Sequence, residues 1–219
     1  MPTIPYINKA GQRIPGVTTV LNNIGWGKNP LMWWAWNEGR EGRDFRDTSK
    51  KACDAGTICH AMIEAELKER DVEAIAAAFE AEADVMNKAE AGYLSYLDWA
   101  ENQQLTVIKT EIHLVSEQHQ FGGTPDVIAR YGVNRKLIML DLKTSNNIYE
   151  TMLSQLAAYE QLWLENGGDN LDGGLHLLRV GKDQASFHHH FWQSLLEGWE
   201  TFLHALELHR LQKELKRII

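Results

Sequence analysis

Cysteine is scarce in this chain: only Cys53 and Cys59 occur, six residues apart in a stretch with helical periodicity. Two thiols cannot build a disulfide framework and are too few for a cysteine-held zinc or iron–sulfur centre, so both read as reduced and structural. Proline is sparse as well, with five residues, three of them (Pro2, Pro5 and Pro15) near the start. No linker divides the 219 residues, and there is no internal repeat or low-complexity segment, which fits one compact domain over 1–219. Long apolar runs are missing. None approaches the roughly 20 residues that a membrane-spanning helix needs, and Met1 to Gly11 lacks the basic and apolar regions of a secretory signal. The expectation is a cytoplasmic protein with no membrane partner. A Gly-X-X-X-X-Gly-Lys-Ser/Thr phosphate loop is absent too, which excludes a fused nucleotide-driven motor.

A surplus of positive charge is also lacking. The formal net charge of −8 at first argues against a nucleic-acid partner, because phosphate binding is built on lysine and arginine. The distribution changes that reading. Between Glu64 and Glu101 eleven acids face three bases (Lys68, Arg70 and Lys88), so this segment alone carries −8 and the remainder sums to zero. Between Lys28 and Lys51, six bases stand against four acids, interleaved with Trp33, Trp34 and Trp36. Such a mixture can follow a phosphate backbone and stack unpaired bases. An amphipathic helix with a solvated charged side and a tryptophan-rich core face is the plainer alternative.

What is present is an ordinary globular balance, 44% hydrophobic and 24% charged. Residues 1 to 27 are punctuated by proline and glycine around one short ordered piece, Val17 to Leu21. Helical periodicity starts at Pro30, a residue suited to a first helical turn, with Leu31, Trp34 and Ala35 at core spacing. A long helix is predicted from about Asp44 to Glu69 and an acidic one from about Asp71 to Asn102. The period then becomes extended: Leu105 to Val115, Phe121 to Tyr131 and Lys136 to Leu142 read as three strands on short links, hence an antiparallel meander. Ile148 to Glu165 reads as a helix ended by Asn166-Gly167-Gly168. Strands from Gly173 to Val180 and Ala185 to Trp192 and a helix from about Ser194 to Lys216 complete the chain. The fold class is α/β, a central mixed sheet of about five strands flanked by helices. A mainly helical part, 1–103, forms a wall beside the sheet and its helix of 104–192, and the C-terminal helix takes 193–219.

The chemistry lies in a few acids and one lysine. Asp126 precedes the alternating Val127-Ile128-Ala129, and Asp141 follows the apolar run Leu137-Ile138-Met139-Leu140, so both carboxylates are expected where strands leave the core. Lys143, two residues beyond Asp141, falls on the same face. Clustered carboxylates raise one another's pKa unless a cation joins them. Magnesium takes one or two carboxylates and leaves its other positions to water and substrate phosphate, which suits so sparse a set. A metal-activated water beside a fixed cation is equipment for phosphodiester hydrolysis. For Asp-X-Lys alone, a surface ion pair is the alternative. Upstream, His60 and Glu64 share a helix face with Ile63 and Leu67, so His60 is directed inward, where a hydrogen-bonded core histidine is the alternative to a ligand. His188-His189-His190 is not read as a metal site, because consecutive strand residues alternate faces.

Taken in order, His60, Gly122-Gly123-Thr124-Pro125-Asp126, Asp141-Leu142-Lys143-Thr144-Ser145 and Gln155-Leu156-Ala157-Ala158-Tyr159 resemble the PD-(D/E)XK nuclease superfamily and, within it, the RecB-like branch with its phage-type exonucleases. The similarity spans roughly residues 17 to 163. It implies a restriction-endonuclease-like core and a metal-dependent DNA exonuclease of phage or prophage recombination, replication or repair. It also implies Asp126 and Asp141 as catalytic metal ligands, the Leu142 carbonyl as a further ligand, His60 as a ligand that favours manganese, and Lys143 as the catalytic lysine. The implied cofactor is Mg2+ or Mn2+, as one or two ions. Gln155 and Tyr159, with Thr144 and Ser145, would contact DNA, and Glu111 and Glu64 would support the metal. The implied partner is DNA, at single-stranded or duplex ends, with room for a recombination or replication partner protein. Two cysteines depart from the members of this group that carry an iron–sulfur cluster, so none is expected. A restriction- or junction-type endonuclease shares the same core, and a catalytically idle nucleic-acid-binding module of this fold is a further alternative.

Overall fold

A computed structural model describes residues 4–26, 28–182 and 186–219. The expected strand start at Ala185, and Pro2 and Gly27 in the N-terminal reading, lie outside them. The chain opens with a two-stranded hairpin, β1 (Tyr6–Ile7) and β2 (Arg13–Ile14), and a short helix α1 (Val17–Leu21). Four helices follow: α2 (Lys28–Arg40), α3 (Phe45–Leu67), α4 (Val72–Ala77) and α5 (Ala83–Glu101). Asp44 caps α3 by accepting from the Arg46 N–H at 2.8 Å, and Asp71 caps α4 by accepting from the Ala74 N–H at 2.9 Å, each satisfying a donor that a helix start leaves open. The acidic helix expected over Asp71 to Asn102 is in fact two, because the backbone turns left-handed at Glu80 (φ 48°) between α4 and α5.

The strands that follow are also shorter than their periodicity predicts. Leu105 to Val115 divides into β3 (Leu105–Thr110) and β4 (Leu114–Ser116), with Glu111 left-handed (φ 49°) at the break. Glu111 therefore sits at a kink rather than on a strand. Phe121 to Tyr131 divides into β5 (Phe121–Gly123) and β6 (Val127–Tyr131) around Pro125, whose nitrogen has no hydrogen to give a ladder. β4 and β5 pair with each other as a separate small sheet. The main sheet continues with β7 (Lys136–Lys143), crosses over through α6 (Glu150–Glu165) to β8 (Gly174–Val180), and ends in β9 (Phe187–Trp192) before α7 (Leu196–Ile218).

Strand order is β3-β6-β7-β8-β9, with β7 and β8 parallel and every other neighbour antiparallel. This is a five-stranded mixed sheet flanked by helices, and the meander of β3, β6 and β7 is present. A parallel pair needs a long crossover, and α6 supplies it. β7 is buried from Leu137 to Leu142, as befits a strand covered on both faces. Leu137 and Met139 enter the apolar layer of α1, α6 and α7, whereas Ile138, Leu140 and Leu142 enter that of α3, α4 and α5. Among the described residues no helix is long and apolar enough to cross a membrane. Both cysteines are free; burial pushes the Cys59 thiol up to about 12, which keeps it protonated and inert.

The tryptophan-rich helix departs from the core-face reading. Glu38 is the buried residue of α2, and Leu31, placed at core spacing by the sequence, is exposed. Trp33 and Trp36 are 63% and 51% exposed. α2 is anchored by charge instead: Arg43 Nε and Nη2 each donate to Glu38 at 2.7 Å, and Thr48 Oγ1 of α3 donates to Glu38 at 2.9 Å. The Arg43 guanidinium holds the Glu38 carboxyl down at about 2.

Candidate active site

Asp126 stands one residue before β6, and Asp141 lies two residues before the end of β7. The two strands pair antiparallel with Val127 opposite Leu140, so one further step sets Asp126 opposite Asp141. The β7 backbone fixes this arrangement: the Leu142 N–H donates to Asp126 Oδ2 at 2.7 Å. Asp141 is 1% exposed and carries Lys143 on the same face, with Nζ 2.5 Å from Oδ2. Oδ2 is engaged by that ammonium, and the buried Oδ1 has no hydrogen-bond partner. Like charges directly opposite on adjacent strands repel. Burial raises the pKa of both carboxyls, Asp126 adds to the rise of Asp141, and the Lys143 ammonium pulls both back. For Lys143 burial opposes the charge, but Asp141 and Asp126 outweigh it and raise the ammonium further.

Helix α3 approaches the strand ends from the other layer. A Cβ on Gly56 would come within 2.7 Å of Thr144 Oγ1, so the glycine lets the helix backbone close onto the residue that follows β7. Glycine inside a helix costs about 0.5–1 kcal/mol relative to alanine, and this contact gives that cost a reason. One turn later His60 enters a small cleft with Glu64, Thr110, Glu111, Asp126 and Leu142. Burial first, and then the Lys143 charge, lower the His60 imidazole to about 4, with Asp141 acting in the opposite sense. The ring is neutral at physiological pH and keeps a lone pair. Glu64 is engaged by Lys68 and by Arg70 at 3.1 Å. Glu111 is exposed as a residue, yet burial of its carboxyl, followed by the negative charges of Asp126 and Glu64, pushes that group up to about 7. Its backbone N–H donates to the Asp126 carbonyl at 2.9 Å, which joins the kink to the acid.

The glycine pair Gly122-Gly123 has a spatial reason. A Cβ on Gly122 would lie 2.2 Å from the Tyr6 ring, and one on Gly123 would lie 2.6 Å from Tyr159 Cε1. The two glycines let two aromatic rings close on β5. Tyr6 Oη is 3.0 Å from Thr124 Oγ1, and its ring stacks on His113 at 4.4 Å. Tyr159, expected with Gln155 to contact DNA, is 6% exposed: its ring fills the core against Gly123 and Leu162, and its hydroxyl accepts from Gln155 Nε2 at 2.8 Å. Burial, with Asp141 adding, raises its pKa well above the ordinary value, so this hydroxyl faces the acids as a neutral group. Of that expected pair, the half-buried Gln155 is nearer to solvent. Ser145 Oγ donates to the Asn147 carbonyl at 2.7 Å and serves its own turn.

The sequence pattern does not single out Tyr6 or Arg179, and shows Gly56 without its contact. Arg179 pairs in register with Lys143 across the parallel strands, and its Nη1 donates to the Ser145 carbonyl at 3.4 Å. Register across a crossover is not visible in spacing, and Tyr6 lies 118 residues from its hydroxyl partner Thr124. Only Gly56 carries a signal, as a glycine inside a helical stretch.

The donors fit a hard divalent cation of sparse protein ligation. Two opposed carboxylates, the half-buried Asp126 and the buried Asp141 with its Oδ1 lacking a hydrogen bond, are the type of site that magnesium or manganese completes with water and phosphate. Among the described residues no three His, Cys, Asp or Glu side chains form a ready-made metal cluster, so His60 shares the cleft with Asp126 without closing a ligand cage. His188 and His190 face solvent, while His189 turns inward to His176 at 2.8 Å, the alternation expected of a strand.

No protein-family model matches this sequence, and no curated protein is similar to it. A solved structure described as "Crystal structure of SSO0001" resembles the chain at 18% identity, over 71% of this chain and 72% of that one, with a TM-score of 0.34.

Proposed function

We propose that this chain is a metal-dependent deoxyribonuclease that hydrolyses phosphodiester bonds with water, acting as an exonuclease on DNA ends in phage or prophage recombination, replication or repair. The observation that supports it most is the meeting of Asp126, Asp141 and Lys143 at two adjacent strand ends, with the buried Asp141 Oδ1 left without a hydrogen bond. Asp126 and Asp141 would hold the ion, with the Leu142 carbonyl and the neutral His60 ring as further donors. A divalent ion bound there supplies a water of lowered pKa and countercharge for the phosphoryl oxygens. Lys143, kept charged by the acids, fixes a phosphate oxygen or orients the attacking water. Glu111 and Glu64 set the charge of the cleft wall. Gln155 positions the Tyr159 hydroxyl and offers the remaining polar group to the DNA side. A cytoplasmic location goes with this reading.

The test is to incubate the folded protein with end-labelled single-stranded, duplex and covalently closed circular DNA in Mg2+ or Mn2+. Nucleotide release from linear ends, abolished in Asp141→Asn, is expected. No cleavage with either metal overturns the enzyme reading, and DNA binding without cleavage points to the idle module. Cutting of the circle moves the assignment to an endonuclease.

A further inference from the structure

The outer face of α2 is aromatic and unpartnered. Trp33 and Trp36 meet edge-on with ring centroids 4.8 Å apart, both exposed, and Phe45 at the start of α3 is exposed beside half-buried Trp34. Two cations belong to the same surface: the Arg40 guanidinium lies 4.7 Å from the Trp36 ring centre and that of Arg46 lies 5.7 Å from that of Phe45. Among the described residues neither arginine has a carboxylate partner, whereas Arg43 is committed to Glu38 and Glu41, and Lys51 to Glu82 and Asp84. Large exposed aromatic groups are costly in water, and a patch of them marks a contact site. Flat rings interleaved with unpaired guanidinium groups suit a chain that alternates stacking bases with phosphates.

The face is also tied to the acid cleft. The Glu38 clamp holds α2 against Thr48 of α3, and the same helix continues through Gly56, at Thr144, to His60 in the cleft. From Phe45 to His60 the helix rises about 22 Å at 1.5 Å per residue, a distance that a few unpaired nucleotides span.

We propose that Trp33, Trp36 and Phe45, with Arg40 and Arg46, form a stacking platform for single-stranded DNA that holds the unpaired part of a strand whose end lies at Asp126 and Asp141. This rests on the nucleic-acid reading of the cleft and names the strand form it takes. The platform binds through base faces and backbone, so it is tolerant of sequence.

The experiment measures anisotropy of fluorescent dT20 and of a duplex of equal length, in EDTA so that no cleavage is required. Trp33→Ala/Trp36→Ala is expected to weaken dT20 binding by roughly five- to a hundred-fold, in line with stacking energies per base, and to leave the duplex little changed. Trp33→Phe/Trp36→Phe retains most of the affinity. Arg40→Gln makes the slope of log affinity against log salt shallower by about 0.7 for each phosphate that the arginine neutralises. Unchanged dT20 affinity in a variant of unaltered circular dichroism and melting overturns the platform, as does an equal loss for duplex. Wild-type binding to phosphatidylserine vesicles but not to dT20 overturns it in favour of a membrane surface. Tryptophan-dependent dT20 binding by a protein that never cleaves keeps the platform and removes the nuclease reading. Cleavage with tryptophan-independent binding does the reverse.

Discussion

Replacing Lys143 by methionine removes a charge while keeping most of the stem, and isolates what the lysine does for the two acids. Lys143 is the cation paired to Asp141, and it pulls down the pKa of both Asp126 and Asp141. Without it two opposed carboxylates remain, Asp141 with no hydrogen bond to fall back on. Removing one partner of a buried ion pair costs about 3–5 kcal/mol. At about 2–4 °C of melting temperature per kcal/mol for a chain of this size, the loss is roughly 6–20 °C. The pH sign is set by the acids. Their folded pKa values lie above the unfolded 3.8, so in that interval the native state holds more protons and stability falls as pH rises. Loss of the lysine raises the folded values further and extends the fall to higher pH. Lys143→Met should therefore melt far below wild type at pH 8 and close to it at pH 4.5, by differential scanning fluorimetry in EDTA. Added Mn2+ should recover more of the melting temperature in the variant than in wild type, because the cation replaces the missing charge. A loss that is equal at both pH values would mean packing rather than charge. A variant within a degree of wild type at pH 8 would refute the coupled-acid reasoning.

Three further outcomes follow from the geometry. Gly123→Ala places a methyl 2.6 Å from Tyr159 and 2.7 Å from Leu162; overpacking of this kind costs about 1–3 kcal/mol, measurable as a lower urea midpoint, with loss of cleavage as Tyr159 is displaced. Glu111→Gln removes a carboxyl held up at about 7. Because a raised acid destabilises the fold above its unfolded pKa of 4.5, the variant should melt higher than wild type at pH 8 without metal and equal to it below pH 4.5. Glu38→Gln weakens the Arg43 and Thr48 clamp, and hydrogen exchange should quicken at the α2–α3 corner while the sheet stays protected.

Much of the fold was legible because its signals are local. Asp44 before an apolar-periodic run marks the start of α3, and Asn166-Gly167 marks the end of α6, where Gly167 adopts φ 80°. Alternation along β7 placed Asp141 and Lys143 on one face, and their ion pair lies there. The two missed breaks share a cause. Glu80 and Glu111 take left-handed backbone without being glycine, so nothing in residue type announces the breaks they make, and periodicity ran straight through them. The two-residue strands β1 and β2 are too short to show a period. Spacing puts Gln155 and Tyr159 on one face of α6, and they meet there, but spacing does not tell what covers a face; β5, with its paired glycines, lies over the Tyr159 ring. Helical spacing turns Leu31, Trp34 and Ala35 of α2 inward, yet Leu31 is exposed and the anchor of that helix is the buried carboxylate of Glu38.

The close approach of Gly56 to Thr144 ties the seat of α3 to the end of β7. His60 stands four residues, about 6 Å, further along the same helix, so a β-carbon at residue 56, by lifting the helix off Thr144, would also shift the imidazole relative to the carboxylates. A residue with no side chain thus sets the spacing between the two layers at the cleft.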